Sequence, residues 1–182
     1  MDGAWRSPDE HRLLPRIFKK NPNLDTATQV MGVGLGGIAI SPEKRKPDDP
    51  MYSDSAMQYC LLLNILDRIK RVGIPDEVAG FVQNPVLAHY AKNIRRRAGV
   101  KILDDPDGFL EIDHLTILIS IWPTCPVKYI VAGIIRRFGI IWNVCLTEQS
   151  EDSGLLYTDP MSPRVEEMLS EEYVEIGSLS LS

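Results

Sequence analysis

The sequence predicts an α/β protein, a three-layer Rossmann-like domain with a mainly parallel sheet of about five strands and helices on both faces. Short apolar segments alternate with longer segments whose apolar residues recur at helical spacing. This alternation is typical of a parallel sheet covered by helices. Segment 115–122 is also apolar along almost its whole length, as expected of a strand that is buried on both faces.

The elements follow one another in a helix, then β-α-β-α-β-(β)-β-α-β order. A first helix is expected at 9–20, ending at Asn21-Pro22-Asn23. Strands are predicted at 26–35, 77–83, 100–103, 115–122 and 140–144, and helices at 54–71, 86–97 and 126–138. Ser53 or Asp54 is expected to cap the helix at 54–71, and Gly139 the helix at 126–138.

Two details of the strand arrangement are more specific. The turn-forming segment 104–108 predicts a hairpin turn, followed by a short extra strand at 109–112. Strands one, two and four are expected to be central and parallel, with Val33, Phe81 and Ile119 buried, and segment 140–144 is predicted as the last central strand.

Length and charge predict one domain with a tail. The chain has 182 residues, a hydrophobic fraction of 44% and a net charge of −5, which are ordinary values for a soluble globular protein. Residues 148–182 contain nine acids and one base, whereas residues 1–147 contain 16 acids and 19 bases. We expect a single domain at 1–147, with its N-terminal helix at 8–20 packed on it, and an acidic tail at 148–182 with a short helix. The tail is either solvated or folded back on a basic face.

Charge and cysteine usage restrict partners and location. The chain is not basic, which argues against nucleic acid as a partner, and no apolar run reaches the roughly 20 residues of a membrane span. Three separated cysteines without a C-x-x-C pair predict free thiols in a reducing compartment, and the N-terminus lacks the apolar core of a secretory signal. We therefore expect a cytoplasmic protein, with the nucleus as a second location. The sequence leaves homo-oligomer formation open.

Ligands of open α/β sheets bind at the carboxyl ends of the strands. This rule selects segments 34–37, 83–85 and 122–126. It predicts one cleft with loop 41–50 as its rim, lined by Gly36, Gly37, Gln58, Asn84, Trp122 and Thr124. Two neutral amides, Gln58 and Asn84, fit recognition of an uncharged or weakly charged ligand better than proton transfer. Alternatively, Gln58 only satisfies backbone groups of the glycine turn.

Gly32, Gly34 and Gly37 match the G-x-G-x-x-G dinucleotide motif literally. The motif requires a helix directly after the last glycine and an acid at the end of the next strand, but a proline-rich loop and Gln83-Asn84 stand there. We therefore expect no cofactor, and no tight binding of NAD(P) or S-adenosylmethionine. The alternative role of these glycines is a tight strand exit.

Other reactive residues give weaker signals. Cys125 lies near a predicted helix start, where a thiol pKa is lowered, but no histidine is placed beside it, so we expect an inert thiol. The acids Asp104, Asp105 and Asp107 fit turn chemistry better than a calcium loop. No metal site is predicted.

Five segments, in order, resemble a known family. Val33-Gly34-Leu35-Gly36-Gly37 with 57–63 (MQYCLLL) is similar to the "GLGS … QLALL" opening of SRR-like (Sensitivity to Red-light Reduced) domains, and 81–85 (FVQNP) to the family's strand ending in Asp-Pro. Segment 99–109 (GVKILDDPDGF) resembles the fungal "LG-x-x-VL-x-DPDGF" segment, and 122–126 (WPTCP) falls where the family has Pro-His-Cys-Pro. Segments 158–160 and 162–164 also look fungal in type, and the resemblance spans roughly residues 27–145.

The resemblance implies roles in clock or light-signalling regulation, in haem metabolism and in cytoskeletal or stress phenotypes, without an agreed reaction. Gly37 stands where the family usually has Ser, Asn84 where it has Asp, and Thr124 where it has His. We therefore expect a regulatory or small-ligand-binding protein whose catalytic residues are unknown. The alternative is a small-molecule enzyme of fungal specialised metabolism, with Tyr52, Tyr59, Asp54, Asp104 or Cys125 as its proton-transfer group. The expected ligand-binding residues are Gly34, Gly36, Gly37, Gln58, Asn84, Trp122, Thr124 and Cys125.

Overall fold

A five-stranded sheet forms the centre of the protein. The computed structural model describes residues 10–36, 50–75, 77–83, 99–134, 139–143 and 158–176. The strands are β1 (Gln29–Val33), β2 (Ala79–Gln83), β3 (Val100–Leu103), β4 (Thr116–Ser120) and β5 (Gly139–Trp142). All four pairings between neighbouring strands are parallel, so the predicted α/β class is confirmed.

The strand order is β3-β2-β1-β4-β5. The chain builds outward from β1 through β2 to β3, then crosses to the other side of β1 to form β4 and β5. The order therefore reverses between β1 and β4, and the carboxyl ends of these two strands flank the switch point. As predicted, strands one, two and four are interior, and Val33, Phe81 and Ile119 are buried.

Two helices cover one face of the sheet. Helix α1 (Glu10–Lys20) leads to β1 through a 3-10 turn at Pro22–Thr26, and the long helix α2 (Pro50–Val72) follows β1 along the chain. Their apolar sides pack on the strand residues that point to this face, in one core cluster; examples are Phe18, Leu62, Val30, Val82 and Ile119. Burial of this apolar surface is the main force that holds the layers together.

The opposite face carries a second core cluster. Two short helices lie there, α3 (Asp107–Leu110) and α4 (Val127–Val131). Their residues Phe109, Val127 and Val131 pack with strand residues such as Met31 and Leu118. Helix α5 (Pro163–Glu172) begins at Ser162, whose hydroxyl accepts the Val165 N–H, and it contacts α4.

The predicted hairpin and extra strand at 109–112 are wrong. The turn at 104–106 closes when the Asp107 N–H donates to the carbonyl of Asp104 at 2.8 Å, and the chain then enters helix α3. The Phe109 N–H donates to the side-chain carbonyl of Gln83 at 3.1 Å, and Gly108 is buried against Gln83. A contact 26 residues away thus holds this segment in a helical turn.

The ends of several elements also differ from the prediction. The helix predicted at 126–138 ends at Val131, and Gly133 donates its N–H to Ile130 in the turn that follows. Gly139 begins β5 rather than capping a helix, and β5 lies at the edge of the sheet formed by the described residues, not among the central strands. Helix α2 begins at Pro50, a residue suited to a first helical turn, so Ser53 and Asp54 lie inside it.

Some predicted features lie outside the described residues. They are the helix at 86–97, the rim loop at 41–49, Gly37 and Asn84. Within the described ranges, no helix is both long and apolar enough to cross a membrane.

Candidate functional site

The loops that follow β1 and β4 touch each other at the switch point. The Gly34 N–H donates to the carbonyl of Gln83 at 3.1 Å, which ties the exit of β1 to the end of β2. A Cβ placed on Gly34 would lie 2.9 Å from the Cβ of Pro123 and 4.0 Å from the backbone nitrogen of Thr124. The exits of strands one, two and four therefore meet at one place.

The glycines of the first loop serve close packing. Gly34 and Gly36 have φ angles of 67° and 73°, which L residues with a Cβ rarely adopt. A Cβ on Gly36 would collide with the side chain of Ser55 on α2, and a Cβ on Gly32 would lie 2.8 Å from Leu62. These contacts fit the tight strand exit that we gave as the alternative to a dinucleotide motif.

Trp122 is the most unusual residue of the edge. It follows β4 with a φ of 51°, and it is the one residue other than glycine with a positive φ in the described part of the chain. Its backbone N–H donates to the side-chain oxygen of Asn143 at 3.4 Å, and 57% of the residue is exposed. Next to it, Thr124 is exposed and Cys125 is half-buried.

Gln58 lies on the α2 side of the sheet. It is 5% exposed and stands one helical turn before Leu62, which covers Gly32, and one turn after Ser55, which covers Gly36. Its Oε1 is buried and accepts no hydrogen bond from the described residues. This oxygen therefore does not accept a backbone N–H from the described part of the glycine turn, and the hypothesis that the Gln58 amide group donates to that turn stays a prediction.

A row of side chains crosses the other face at the same edge. The register pairs Leu103 with Gln83, Gln83 with Val33, and Ser120 with Trp142. Val33 and Ser120 each follow the last pair between β1 and β4, Gly32 with Ile119, by one residue. The row contains two buried polar groups. The Gln83 amide donates to Asp105 at 2.7 Å and accepts from the Phe109 N–H, whereas the Ser120 hydroxyl has no hydrogen-bond partner in the described ranges.

A buried ion pair lies over the Trp142 end of this row. Lys128 is 1% exposed, and its Nζ lies 5.6 Å from the centre of the Trp142 ring. Nζ donates to the backbone carbonyl of Asp159 at 2.9 Å and lies 3.3 Å from its Oδ2, while the Lys128 backbone N–H donates to Oδ1 at 2.7 Å. Oδ2 itself accepts no directed hydrogen bond from the described residues, so its contact with Nζ is a charge pair.

Sequence reasoning missed this pair. The segment VKYIV does not show which partner would neutralise a buried lysine, because Asp159 lies 31 positions away in a segment rich in turn residues. The one available signal was an isolated lysine amid apolar residues, next to the predicted Pro126 helix start.

Burial and nearby acids control the titration of this region. Burial raises the pKa of the Cys125 thiol, and the negative charges of Asp159 and Asp105 raise it further. Burial also raises the pKa of Asp159, and the hydrogen bonds and charge of Lys128 offset only part of this effect. His114, the histidine whose side chain the structure describes, precedes β4 at the opposite edge. No described imidazole is thus available to activate Cys125.

The predicted ligand-binding residues separate into three groups. Gly34, Gly36, Trp122, Thr124 and Cys125 lie at the carboxyl edge around the switch point, and Gln58 lies beside it under α2. Gly37 and Asn84 are outside the described residues. Within the described ranges, no group of three or more His, Cys, Asp or Glu side chains could hold a metal ion.

The acids that follow β3 give the edge a negative character. Asp104, Asp105 and Asp107 are exposed there, whereas the buried Lys128 is paired with Asp159.

Comparison of the chain with protein-family models, curated proteins and solved structures finds no match of any of the three kinds.

Proposed function

We propose that this protein is a regulatory member of the SRR-like family that binds a small, flat, uncharged or weakly charged ligand at the carboxyl edge of β1 and β4. One observation carries the proposal: Trp122 combines a left-handed backbone with 57% exposure at the point where the strand order reverses.

Both properties of Trp122 are unfavourable for folding alone. A left-handed backbone costs an L residue about 1–2 kcal/mol, and an exposed indole leaves a large apolar surface in water. Glycine would avoid both costs. Residues with strained backbones cluster at ligand sites, because a strained conformation persists only where the surrounding structure fixes it. Stacking of a flat ligand on the indole would bury that surface.

The polar groups suggest the chemistry of the ligand. The buried Gln58 Oε1 lacks a hydrogen-bond donor within the described residues, so a ligand group that reaches it has to donate a hydrogen bond. The exposed acids Asp104, Asp105 and Asp107 oppose the approach of a phosphate, and the Lys128 charge is already paired. A flat heteroaromatic compound with an N–H group fits these conditions better than a nucleotide.

The titration of Cys125 favours binding over the enzymatic alternative. Cysteine chemistry requires a thiolate, and burial together with two nearby carboxylates holds the pKa of this thiol above its ordinary value. Among the other candidates, Tyr59 is 3% exposed, Asp104 is exposed, and the side chains of Tyr52 and Asp54 lie outside the described ones. No pair of described groups is arranged as a nucleophile with its base.

The test compares two exposed aromatic residues. Trp122→Gly relieves the backbone and removes the indole, and Tyr129→Ala removes a ring of equal exposure (56%) on α4. Adenine, indole and lumichrome are the uncharged probes, and adenosine monophosphate is the phosphorylated comparison. Binding is followed by saturation-transfer NMR and by the shift in Tm.

We expect at least one uncharged probe to bind the wild type and the Tyr129→Ala variant, with no binding to Trp122→Gly, whose Tm is equal to or above that of the wild type. The proposal fails if no uncharged probe binds the wild type, or if Trp122→Gly binds as the wild type does. A fall in Tm for Trp122→Gly would contradict the proposal as well, because it would show that the Trp122 side chain stabilises the fold.

A further inference from the structure

The C-terminal segment at 158–172 is bound directly to the loop that carries Trp122. The Thr158 hydroxyl donates to the carbonyl of Pro123, immediately after Trp122. Asp159 holds the backbone N–H and the Nζ of Lys128 in the first turn of α4. Arg164 lies over Gly133, where a Cβ would be 3.4 Å from its guanidinium. The segment thus contacts this part of the chain through three residues of its first half.

The attachment combines one buried ion pair with a small apolar contact. Helix α5 buries two apolar side chains, Val165 and Met168, and Glu166, Glu167 and Glu171 on it are exposed. The Lys128–Asp159 pair is nearly completely excluded from water, and each partner needs the other because an isolated buried charge is strongly unfavourable. Segments with few buried apolar contacts open more readily than the core around them.

We infer that segment 158–172 is a releasable strap, whose docking on Pro123 and Lys128 sets the conformation of the Trp122 loop and thereby regulates the proposed ligand site. When the strap is docked, the pair fixes α4 and the loop before it. When the strap leaves, Lys128 loses its counter-ion and its buried position becomes unfavourable, so α4 and the Trp122 loop rearrange with it. The regulatory meaning rests on the proposed function, but the coupling between strap and loop does not.

Hydrogen exchange of the full-length protein without ligand tests the coupling. In the wild type, the amides of α5 and of Ile121, Trp122, Thr124 and Cys125 should open together by a local motion, at least about tenfold more often than those of β1 and β4. Asp159→Asn keeps the side-chain oxygen that accepts the Lys128 N–H and the backbone carbonyl that accepts Nζ, but it replaces Oδ2 with an NH2 group and removes the charge. It should accelerate exchange in α5 and in Ile121, Trp122, Thr124 and Cys125 by at least about tenfold, with β1 and β2 unchanged. Glu167→Gln, on the exposed side of α5, is the matched control and should behave as the wild type.

Three results would overturn the inference. They are faster exchange in α5 alone, an equal acceleration in all elements, and no acceleration. If Asp159→Asn does not fold, Thr158→Val, which removes one hydroxyl donor, replaces it with the same expected pattern at smaller amplitude. Because no ligand is present, this experiment can succeed where the probes fail to bind, which separates failure of the strap from failure of the proposed function.

Discussion

Arg68 donates two hydrogen bonds of 3.0 Å each to the carboxylate of Asp25, and this pair links helix α2 to the 3-10 turn before β1. The guanidinium also lies 4.5 Å from the centre of the Phe18 ring on α1. A lysine at this position could form neither the bidentate contact with Asp25 nor the planar stacking on the Phe18 ring. Arg68→Lys should therefore lower the free energy of unfolding by about 1–2 kcal/mol, measured by urea denaturation.

Arg71 on the same helix provides the control for this prediction. It pairs with Asp67 at 2.8 Å, but their side chains are 78% and 57% exposed. Exposed pairs contribute little, so Arg71→Lys should change the unfolding free energy by less than about 0.5 kcal/mol. Equal effects of the two substitutions would show that Arg68 acts only as a surface charge.

Alanine substitutions at three glycines with positive φ angles distinguish the stability cost of backbone strain from the cost of close packing. Gly34, Gly73 and Gly99 all have a φ of 67°, but among the described residues a Cβ would contact Pro123 at Gly34 and would meet no atom within 4 Å at the other two. Alanine at Gly73 or Gly99 should cost about 1 kcal/mol from strain alone. Gly34→Ala should cost at least about 1 kcal/mol more in the same thermal unfolding assay, because Pro123 has to move. Similar losses at all three positions would mean that the two loops do not pack as described.

Asp113 predicts a dependence of stability on pH. Burial raises the pKa of this carboxyl, but hydrogen bonds from Gln29, Thr116 and Leu115, with the nearby His114, together outweigh burial and leave the pKa below its ordinary value. A lowered pKa in the folded state stabilises the protein above the unfolded pKa, about 3.9, and this contribution is lost as the pH falls through the lowered value. Asp113→Asn should therefore be less stable than the wild type at pH 7, and the difference should shrink below pH 4 in denaturant titrations.

Thr116→Val checks the cause of that shift. The Thr116 hydroxyl donates to Asp113 at 2.8 Å and accepts its backbone N–H at 2.9 Å. Without this hydroxyl the pKa of Asp113 should rise toward its ordinary value. The stability difference between the Thr116→Val protein and its Asp113→Asn double variant should then vary less with pH. An unchanged pH dependence would assign the shift to the other partners of the carboxylate.

The sheet was predictable from the sequence because the hydrophobic pattern within each segment is enough to identify its strands. The largely apolar character of 115–122 predicted a central strand, and the alternation of apolar strands with helical segments predicted parallel pairing. The carboxyl-edge rule then selected the loops of Gly34 and Trp122 without any motif. Those loops meet, as the contact between Gly34 and Pro123 shows.

The features that sequence reasoning missed depend on contacts between distant residues. The DPDG segment is a normal hairpin signal, but Gln83, buried at the end of another strand, binds the Phe109 N–H and holds a helical turn instead. Likewise, a lysine in a short helix ordinarily faces water. Lys128 is buried because a carboxylate 31 residues further on reaches it, and no local pattern announces such a partner.

Cys125 should react slowly with alkylating agents. Burial, followed by the charges of Asp159 and Asp105, raises the pKa of its thiol, which lowers the thiolate fraction at pH 7. In a Cys60→Ser, Cys145→Ser background, iodoacetamide should modify Cys125 more slowly than an unstructured cysteine peptide. Asp105→Asn, which keeps an oxygen acceptor for Gln83, should shift the pH profile of the reaction to lower pH. Modification faster than that of the peptide at pH 7 would restore the thiol as a candidate nucleophile.

Gln58 and Gln83 form a matched pair of buried amides that differ in hydrogen bonding. They are 5% and 2% exposed. Gln83 uses its amide to bind Asp105 and the Phe109 N–H, whereas the Oε1 of Gln58 has no donor among the described residues. Methionine has a similar volume and no strong polar group, so it removes the hydrogen bonds at nearly constant packing. Gln83→Met should lower the unfolding free energy by about 2–3 kcal/mol, since it leaves the Phe109 N–H without an acceptor.

Gln58→Met should leave stability unchanged or raise it by up to about 1 kcal/mol, because it removes an unsatisfied buried oxygen. In the probe assay it should weaken binding of the uncharged heteroaromatic compounds. A loss of stability in Gln58→Met as large as that in Gln83→Met would mean that the Gln58 amide supports the fold rather than a ligand.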